Sequence, residues 1–252
     1  MSGEQETSPS GDAIYRYSEP EGFEVGDHTE FGEKIQDHVE QHIGPIKTVF
    51  HEILSNRVHV DVLVVAPTEE RPYWTFVTCG MSARAMALPD EALGSAPLFA
   101  EVVMALPNHW QFSSGSGDIL GNHPGDYPIS LLRYVAHFPH NYSTWLGAGH
   151  TIPNGEPPEP IADDTLMCGC MLAPVIGVDR KFNRLSVRDN VEIGFYGVIP
   201  IHRDELDLKL QEGANVIYDL FDQKGVSELF DPSRPSVIPQ QKRGFLKNLF
   251  GN

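Results

Sequence analysis

The chain has 252 residues, enough for one large domain or two small ones, and 40% of them are hydrophobic, which suits a globular core. Its formal net charge of −17 argues against non-specific binding to nucleic acid, because a phosphate backbone needs a basic partner. Three cysteines do not make a disulfide framework, and no apolar run approaches the roughly 20 residues of a membrane-spanning helix. The acidic N-terminus lacks the apolar core of a secretory signal, so the sequence predicts a soluble, cytoplasmic protein.

The first part of the chain predicts a tail, a helix and a hairpin. Residues 1–13 are rich in Ser, Gly and Glu, which predicts a flexible acidic tail. Apolar residues recur at steps of three or four over residues 30–54, which predicts a helix kinked at Gly44-Pro45. Residues 58–65 and Tyr73–Cys79 are rich in β-branched and aromatic side chains, so we expect two strands joined by a polar turn.

The remaining pattern mixes strands and helices. The predicted elements are, in order, a strand over residues 98–106, a flexible loop over 111–127, a helix over 129–137, strands over 165–173 and 191–201, and one or two helices over 204–221 with a break at Gly213. Because these elements do not follow a strict βαβ alternation, we expect a single α+β domain over residues 14–238.

The C-terminal residues 239–252 predict a basic amphipathic tail on an acidic chain. Phe245, Leu246, Leu249 and Phe250 fall on one helical face beside three cationic residues. An isolated helix of this length is marginal in water, so the tail needs a surface. Docking on its own domain is the simplest explanation, and docking on a partner or a membrane surface stays open.

The stretch from residue 137 to residue 160 is unusually rich in His, Gly and Pro. It contains three histidines, one Tyr and one Trp. Four of its prolines lie at 139, 153, 157 and 158, and they predict that no regular helix or strand runs through the stretch. A long ordered loop within a compact domain is usually functional.

Several catalytic patterns fail on inspection. His38 and His42 have the i, i+4 spacing of a zinc helix but lack the third ligand and the glutamate, so we interpret them as solvated residues. Cys168 and Cys170 are interpreted as small core residues. The glycine-rich segments do not match a nucleotide-binding loop. Each lacks a preceding strand, a following helix whose N-terminus could hold a phosphate, or the lysine that such loops carry. The sequence therefore predicts no catalytic residue, metal site or cofactor.

Recognition by the central stretch is the hypothesis that remains. Tyr142, Trp145, His150 and Asn154 are predicted to contact a partner or to shape the loop, and Arg71 on the hairpin turn is a lesser candidate. The alternative for Trp145 is burial, with the ring fixing the loop to the sheet. A competing hypothesis uses His137, His140 and His150 as a metal or acid–base set.

Seven segments resemble the bacterial branch of the suppressor of fused domain family. The resemblance runs from about residue 14 to about residue 235, and its carriers are residues 42–52 (HIGPIKTVFHE), 59–72 (HVDVLVVAPTEERP), 78–82 (TCGMS), 133–140 (RYVAHFPH), 144–155 (TWLGAGHTIPNG), 195–200 (FYGVIP) and 205–210 (ELDLKL). The resemblance implies an α+β domain with a mixed, largely antiparallel sheet flanked by helices, and no known catalytic activity. Animal members bind and restrain a transcription factor through an extended peptide, whereas bacterial relatives resemble components of toxin–immunity systems. The second domain of the animal protein has no counterpart in this chain.

The leading functional hypothesis is therefore a non-enzymatic, cytoplasmic protein-binding module, specifically an immunity protein that masks a toxin. The acidity of the chain suits a basic toxin such as a nuclease. One alternative is a metal-dependent hydrolase that uses the His-rich stretch, and another is a regulatory scaffold without a toxin. The sequence leaves the partner and the oligomeric state open.

Overall fold

The computed structural model describes residues 6–16, 31–53, 57–113 and 123–239. Within these ranges, eight strands form one sheet in the order β1-β2-β3-β4-β8-β6-β5, and β7 pairs with β8 beside β6. The strands are β1 (Ile46–Phe50), β2 (Asp61–Val65), β3 (Tyr73–Cys79), β4 (Phe99–Pro107), β5 (Thr151–Pro153), β6 (Met167–Pro174), β7 (Arg184–Arg188) and β8 (Val191–His202). Among the described pairs, β4–β8 alone is parallel, which confirms the mixed, largely antiparallel sheet.

Four α-helices flank the sheet in the described part of the chain. They are α1 (Gly32–His42), α2 (Tyr127–Asn141), α3 (Arg203–Glu212) and α4 (Ala214–Lys224). Side chains alternate along β2, so Val62 and Val64 pack in the cluster that contains α2, while Leu63 and Val65 pack in the cluster that contains α1. A third cluster joins α3 and α4 to the ends of β6 and β8. The helices therefore cover both faces of one sheet.

Several sequence predictions are confirmed. Strands β2 and β3 form the expected antiparallel hairpin, and β4 is a strand rather than a helix. Gly213 separates α3 from α4 with a φ of 87°, a left-handed conformation that a residue with a side chain rarely adopts. None of the described helices is both long and apolar enough to cross a membrane.

The helix predicted over residues 30–54 is wrong in its second half. Helix α1 ends at His42, and residues 46–50 form strand β1 at the edge of the sheet. Gly44 has a φ of 142°, which ends the helix, and the segment after it contains β-branched residues that pair with β2. Periodicity alone did not separate the two elements, because every third or fourth residue is apolar in both.

No single helix or strand runs through residues 137–160, as expected, but the end of α2 and the short strand β5 lie within this stretch. Helix α2 continues through Pro139 to Asn141. The residues that follow it close its last turn, since Tyr142 N–H donates to Phe138 O at 3.1 Å and Thr144 N–H donates to Pro139 O at 2.9 Å. Pro153 ends β5, an edge strand, where a missing backbone donor is tolerated. Strand β7, with one buried residue, was not predicted.

The predicted tails lie partly outside the described residues. Residues 1–5, residues 114–122 of the predicted loop, and residues 240–252 fall outside them. Residues 6–13 fall inside: Thr7 pairs with Ala13 in a short bridge, and Asp12 Oδ2 lies 3.2 Å from Lys209 Nζ. The proposed boundaries at residues 13/14 and 238/239 stay predictions.

Candidate functional site

The connection between α2 and β5, residues 142–150, folds around Trp145. The ring centroids of Trp145 and His150 are 4.3 Å apart at an interplanar angle of 71°, an edge-to-face contact. A Cβ at Gly147 would come within 2.9 Å of the Trp145 ring, so a side chain there would force the ring to shift. Trp145 Nε1 is shielded from solvent and has no hydrogen-bond partner among the described residues. Trp145 thus fixes the connection while keeping one donor unused.

His150 is the second aromatic ring of this connection. Burial, together with the nearby Lys209 cation, lowers the pKa of His150 to about 4. The backbone is held on both sides, since His150 N–H donates to Gly147 O at 3.1 Å and Leu172 N–H donates to His150 O at 2.9 Å. His150 is therefore neutral at pH 7 and offers a ring rather than a charge.

Tyr142 ends a row of three aromatic rings along α2. Its ring centroid lies 4.7 Å from that of Phe138, which lies 5.9 Å from that of Tyr134. Tyr134 is 45% exposed, and burial of its hydroxyl raises its pKa to about 12. The row thus places the ring of Tyr142 where α2 meets the connection.

Asn154 shapes the turn that follows β5. Its Nδ2 donates to the carbonyls of Glu159 and Pro160, both at 3.0 Å. The segment after it, residues 155–166, carries four carboxylates and no Lys or Arg, and Leu166 in it is 77% exposed. Asn154 therefore holds an acidic surface segment in place.

Arg71 lies away from the other four predicted residues. It belongs to the turn between β2 and β3, and four strands separate β2 from β5 in the sheet order. Its Nη1 donates to Ile43 O at the end of α1. Of the four residues in the central stretch, the structure brings Trp145 and His150 into contact, whereas Tyr142 and Asn154 each pack on other neighbours. Arg71 lies apart from all four.

The three central histidines have three different partners. His137 Nε2 lies 2.8 Å from Glu52 Oε1, and His140 Nε2 lies 2.7 Å from Met81 O, whereas His150 makes an edge-to-face contact with Trp145. Burial lowers the pKa of His140 to about 4. Across the described residues, no group of three or more His, Cys, Asp or Glu side chains is arranged to hold a metal ion.

The remaining candidate ligands are mostly core residues. Cys79, Cys168 and Cys170 are free and buried. The interpretation of His38 as solvated is wrong: it is 7% exposed, stacks on Phe182 at 5.2 Å between centroids, and lies 3.0 Å from Phe182 O. Burial lowers the pKa of His38, so its apolar setting keeps it neutral.

Sequence reasoning missed a polar cluster between α2 and residues 51–61. The Glu52 carboxylate accepts a hydrogen bond from Val60 N–H at 2.9 Å and reaches His137. The Asp61 carboxylate accepts one from Glu52 N–H at 3.1 Å, and its oxygens lie 3.0 Å and 2.9 Å from ring nitrogens of His51 and His59. The signal was present, since these residues lie in three of the segments that carry the family resemblance.

Comparison with known proteins assigns the chain to a family. Residues 56–235 match the family model described as suppressor of fused protein (SUFU). The fold is similar to a SUFU homolog from Neisseria gonorrhoeae FA 1090, with 19% identity, a TM-score of 0.55, and coverage of 84% of this chain and 98% of the other. It is also similar to a chain of the Sufu–Fu complex, with 13% identity, a TM-score of 0.57, and coverage of 90% and 99%. No curated protein matches the sequence.

Proposed function

This chain belongs to the suppressor of fused family, and from that premise we propose that it is a non-enzymatic module that binds another protein. We name the binding surface the central-loop face and define it as Tyr142, Trp145, His150 and Asn154. The observation that carries the proposal is the packing of Trp145, whose ring is held edge-on by His150 while its Nε1 stays without an acceptor among the described residues. A fold shared with a chain of the Sufu–Fu complex supports binding as the type of activity.

The chemistry of the central-loop face suits a protein partner. Tyr and Trp rings supply large contact area and lose little side-chain entropy on binding, which is why they dominate the energetics of interfaces. Here the rings are already positioned by Gly147 and Phe138, so binding orders little more.

The charge around this face indicates a basic partner. The carboxylates of residues 155–166 follow directly after Asn154, and the whole chain carries −17. Such a field raises the association rate of a basic protein and weakens with added salt. Arg71, which lies apart, is proposed only as a separate and lesser contact.

We propose more specifically that the chain is an immunity protein and that the partner is a basic toxin whose active surface it masks. The acidity of the chain supports this assignment, because nucleases and other enzymes that bind phosphate backbones carry basic surfaces. A regulatory scaffold would use the same face and differ only in its partner.

The test begins with capture of a partner by the untagged chain from extract of its native cell. The captured protein is then purified and titrated against wild type, Trp145→Ala and a control variant, Ile176→Ala, whose side chain is 59% exposed outside the face. We expect stoichiometric binding that Trp145→Ala weakens and Ile176→Ala leaves unchanged. Equal binding by all three proteins would place the interface elsewhere.

The immunity assignment has its own test. Expression of the captured partner alone should arrest growth, and co-expression of the wild-type chain should restore it, whereas Trp145→Ala should not. A harmless partner that still binds 1:1 would remove the immunity role and leave the binding module.

A further inference from the structure

Residues 6–16, which we call the N-terminal hairpin, fold back on themselves. Thr7 pairs with Ala13 in an antiparallel bridge. Ser8 N–H donates to Asp12 O at 2.8 Å, and Ser8 is only 5% exposed. Backbone pairing and a buried serine thus give the hairpin a defined shape.

The N-terminal hairpin is fastened to the last turn of α3. Ser10 N–H donates to Leu210 O at 3.1 Å, and Asp12 Oδ2 lies 3.2 Å from Lys209 Nζ. The Lys209 side chain is only 9% exposed, so Asp12 supplies the opposite charge that a shielded cation needs. The contact at Lys209 is therefore the anchor of the hairpin.

The same anchor lies beside the connection that carries His150. A Cβ at Gly213, between α3 and α4, would lie 3.9 Å from Ser10 Cβ. A Cβ at Gly149, the residue before His150, would lie 3.1 Å from Ala214 Cβ at the start of α4. Because Gly213 and Ala214 are consecutive, the hairpin borders the central-loop face.

Arg16, the last residue of the hairpin, joins two carboxylates. Its Nε donates to Glu6 Oε2 at 2.9 Å and its Nη2 donates to Glu6 Oε1 at 3.2 Å, while its Nη1 donates to Glu156 Oε1. Glu156 comes two residues after Asn154, in the acidic segment of residues 155–166. One guanidinium thus links the hairpin to the acidic segment beside the central-loop face.

The two attachments of the hairpin differ in their exposure to water. The side chains of Arg16, Glu6 and Glu156 are 58%, 51% and 75% exposed, whereas that of Lys209 is 9% exposed. Exposed ion pairs contribute little to stability, because water and salt screen them. Another cation can therefore replace Arg16 while the hairpin stays attached at Lys209.

We propose that Glu6 and Glu156 form a site for an arginine side chain of the basic partner, and that Arg16 of the chain itself occupies this site until the partner binds. The inference rests on the binding module proposed above and names the group that its partner presents. A guanidinium suits the site better than an ammonium does, because its planar fork donates to both carboxylates at once, as Arg16 does. Arg16 therefore competes with the partner.

The test is a calorimetric titration of a hexaarginine peptide into the full-length chain at low salt, with hexalysine as the matched peptide. Arg16→Gln should bind hexaarginine about fivefold more tightly than wild type, because the competing guanidinium is gone. Arg184→Gln is the matched control, since it also removes one cation from an exposed ion pair, that with Glu192. The control should change binding by less than about twofold.

Glu156→Gln assigns the effect to this site. The variant should bind hexaarginine more weakly than wild type, and in its background the gain from Arg16→Gln should fall below about twofold. An absent gain in Arg16→Gln would overturn the proposal. So would an equal gain in Arg184→Gln, an equal gain for hexalysine, or a full gain in the double variant.

The captured partner separates this proposal from the binding module itself. If Trp145→Ala weakens capture while Arg16→Gln binds the partner like wild type, the module stands and the arginine site is overturned. If Trp145→Ala binds the partner like wild type while Arg16→Gln binds it more tightly, the arginine site stands and the interface moves away from Trp145.

Discussion

The carboxylate of Glu205 and the indole of Trp145 are both withdrawn from water, but their polar atoms meet different surroundings. Glu205 is 0% exposed and accepts from Arg234 Nη1 at 2.6 Å, Arg234 Nη2 at 2.8 Å, Val237 N–H at 2.8 Å and His202 N–H at 2.9 Å. Trp145 Nε1 finds no acceptor among the described residues. The difference separates a structural centre, in which Glu205 fastens residues 234–237 to α3, from a half-buried ring whose one polar atom is left without a partner among the described residues.

The largest effect should come from breaking the structural centre. Arg234→Ala leaves Glu205 buried without its counter-ion, and removal of one member of a buried pair costs about 3–5 kcal/mol. The matched control is Arg184→Ala, because Arg184 and Glu192 are about half exposed and 3.9 Å apart. Its expected cost is below about 1 kcal/mol. Urea unfolding of both variants measures the comparison, and equal losses would contradict it.

Acid should weaken the fold through the buried histidines. The pKa values of His140 and His150 in the native protein are about 4, below the value of about 6.5 for an unfolded histidine. Between these values the unfolded chain binds more protons, so stability falls as pH is lowered from 6.5 to 4. Each histidine contributes at most about 1.4 kcal/mol per unit of pKa difference.

His150→Gln tests this pH dependence on the central-loop face. The variant should lose less stability than wild type between pH 6.5 and pH 4, since one of the groups that take up a proton on unfolding is removed. Urea unfolding at three pH values across this window measures the difference. An identical slope for the two proteins would show that His150 is not a buried neutral ring.

Sequence patterns predicted the elements whose signals are local. Strands β2 and β3 alternate and are rich in β-branched residues, and Gly213 separates α3 from α4 as expected. The passage of α2 through Pro139 depends on Thr144 and Tyr142 closing the last turn, and no local pattern encodes that closure. The pairing of Glu52 with His137 joins residues 85 positions apart, so it became visible only once β1 and α2 were in place.

The central-loop face should tolerate truncation better than the structural centre does. Trp145 is half-buried, so Trp145→Ala should cost about 2 kcal/mol, less than the loss at a fully buried aromatic residue. Trp145→Phe keeps a ring against His150 and should cost less than the alanine variant. Urea unfolding of both variants measures the two losses of stability. If Trp145→Ala shows no cooperative unfolding transition, the ring is part of the core and not of a binding surface.

The smallest effect should come from the charges beside the face. Neutralising Glu159 and Asp163 together, as Glu159→Gln and Asp163→Asn, should slow association of a basic partner several-fold at low salt and leave its dissociation rate unchanged. The exposed Asp189→Asn, in the turn between β7 and β8, is the control. Surface plasmon resonance at two salt concentrations separates the rates, and a slower association that persists at high salt would contradict an electrostatic origin.

The most direct measurement is a calorimetric titration of the purified partner into wild type and into Trp145→Ala. We expect 1:1 binding to wild type. We expect Trp145→Ala to unfold cooperatively and to bind about tenfold more weakly, a loss of about 1.4 kcal/mol in binding free energy. Undiminished affinity of that folded variant would contradict the assignment of binding to the central-loop face.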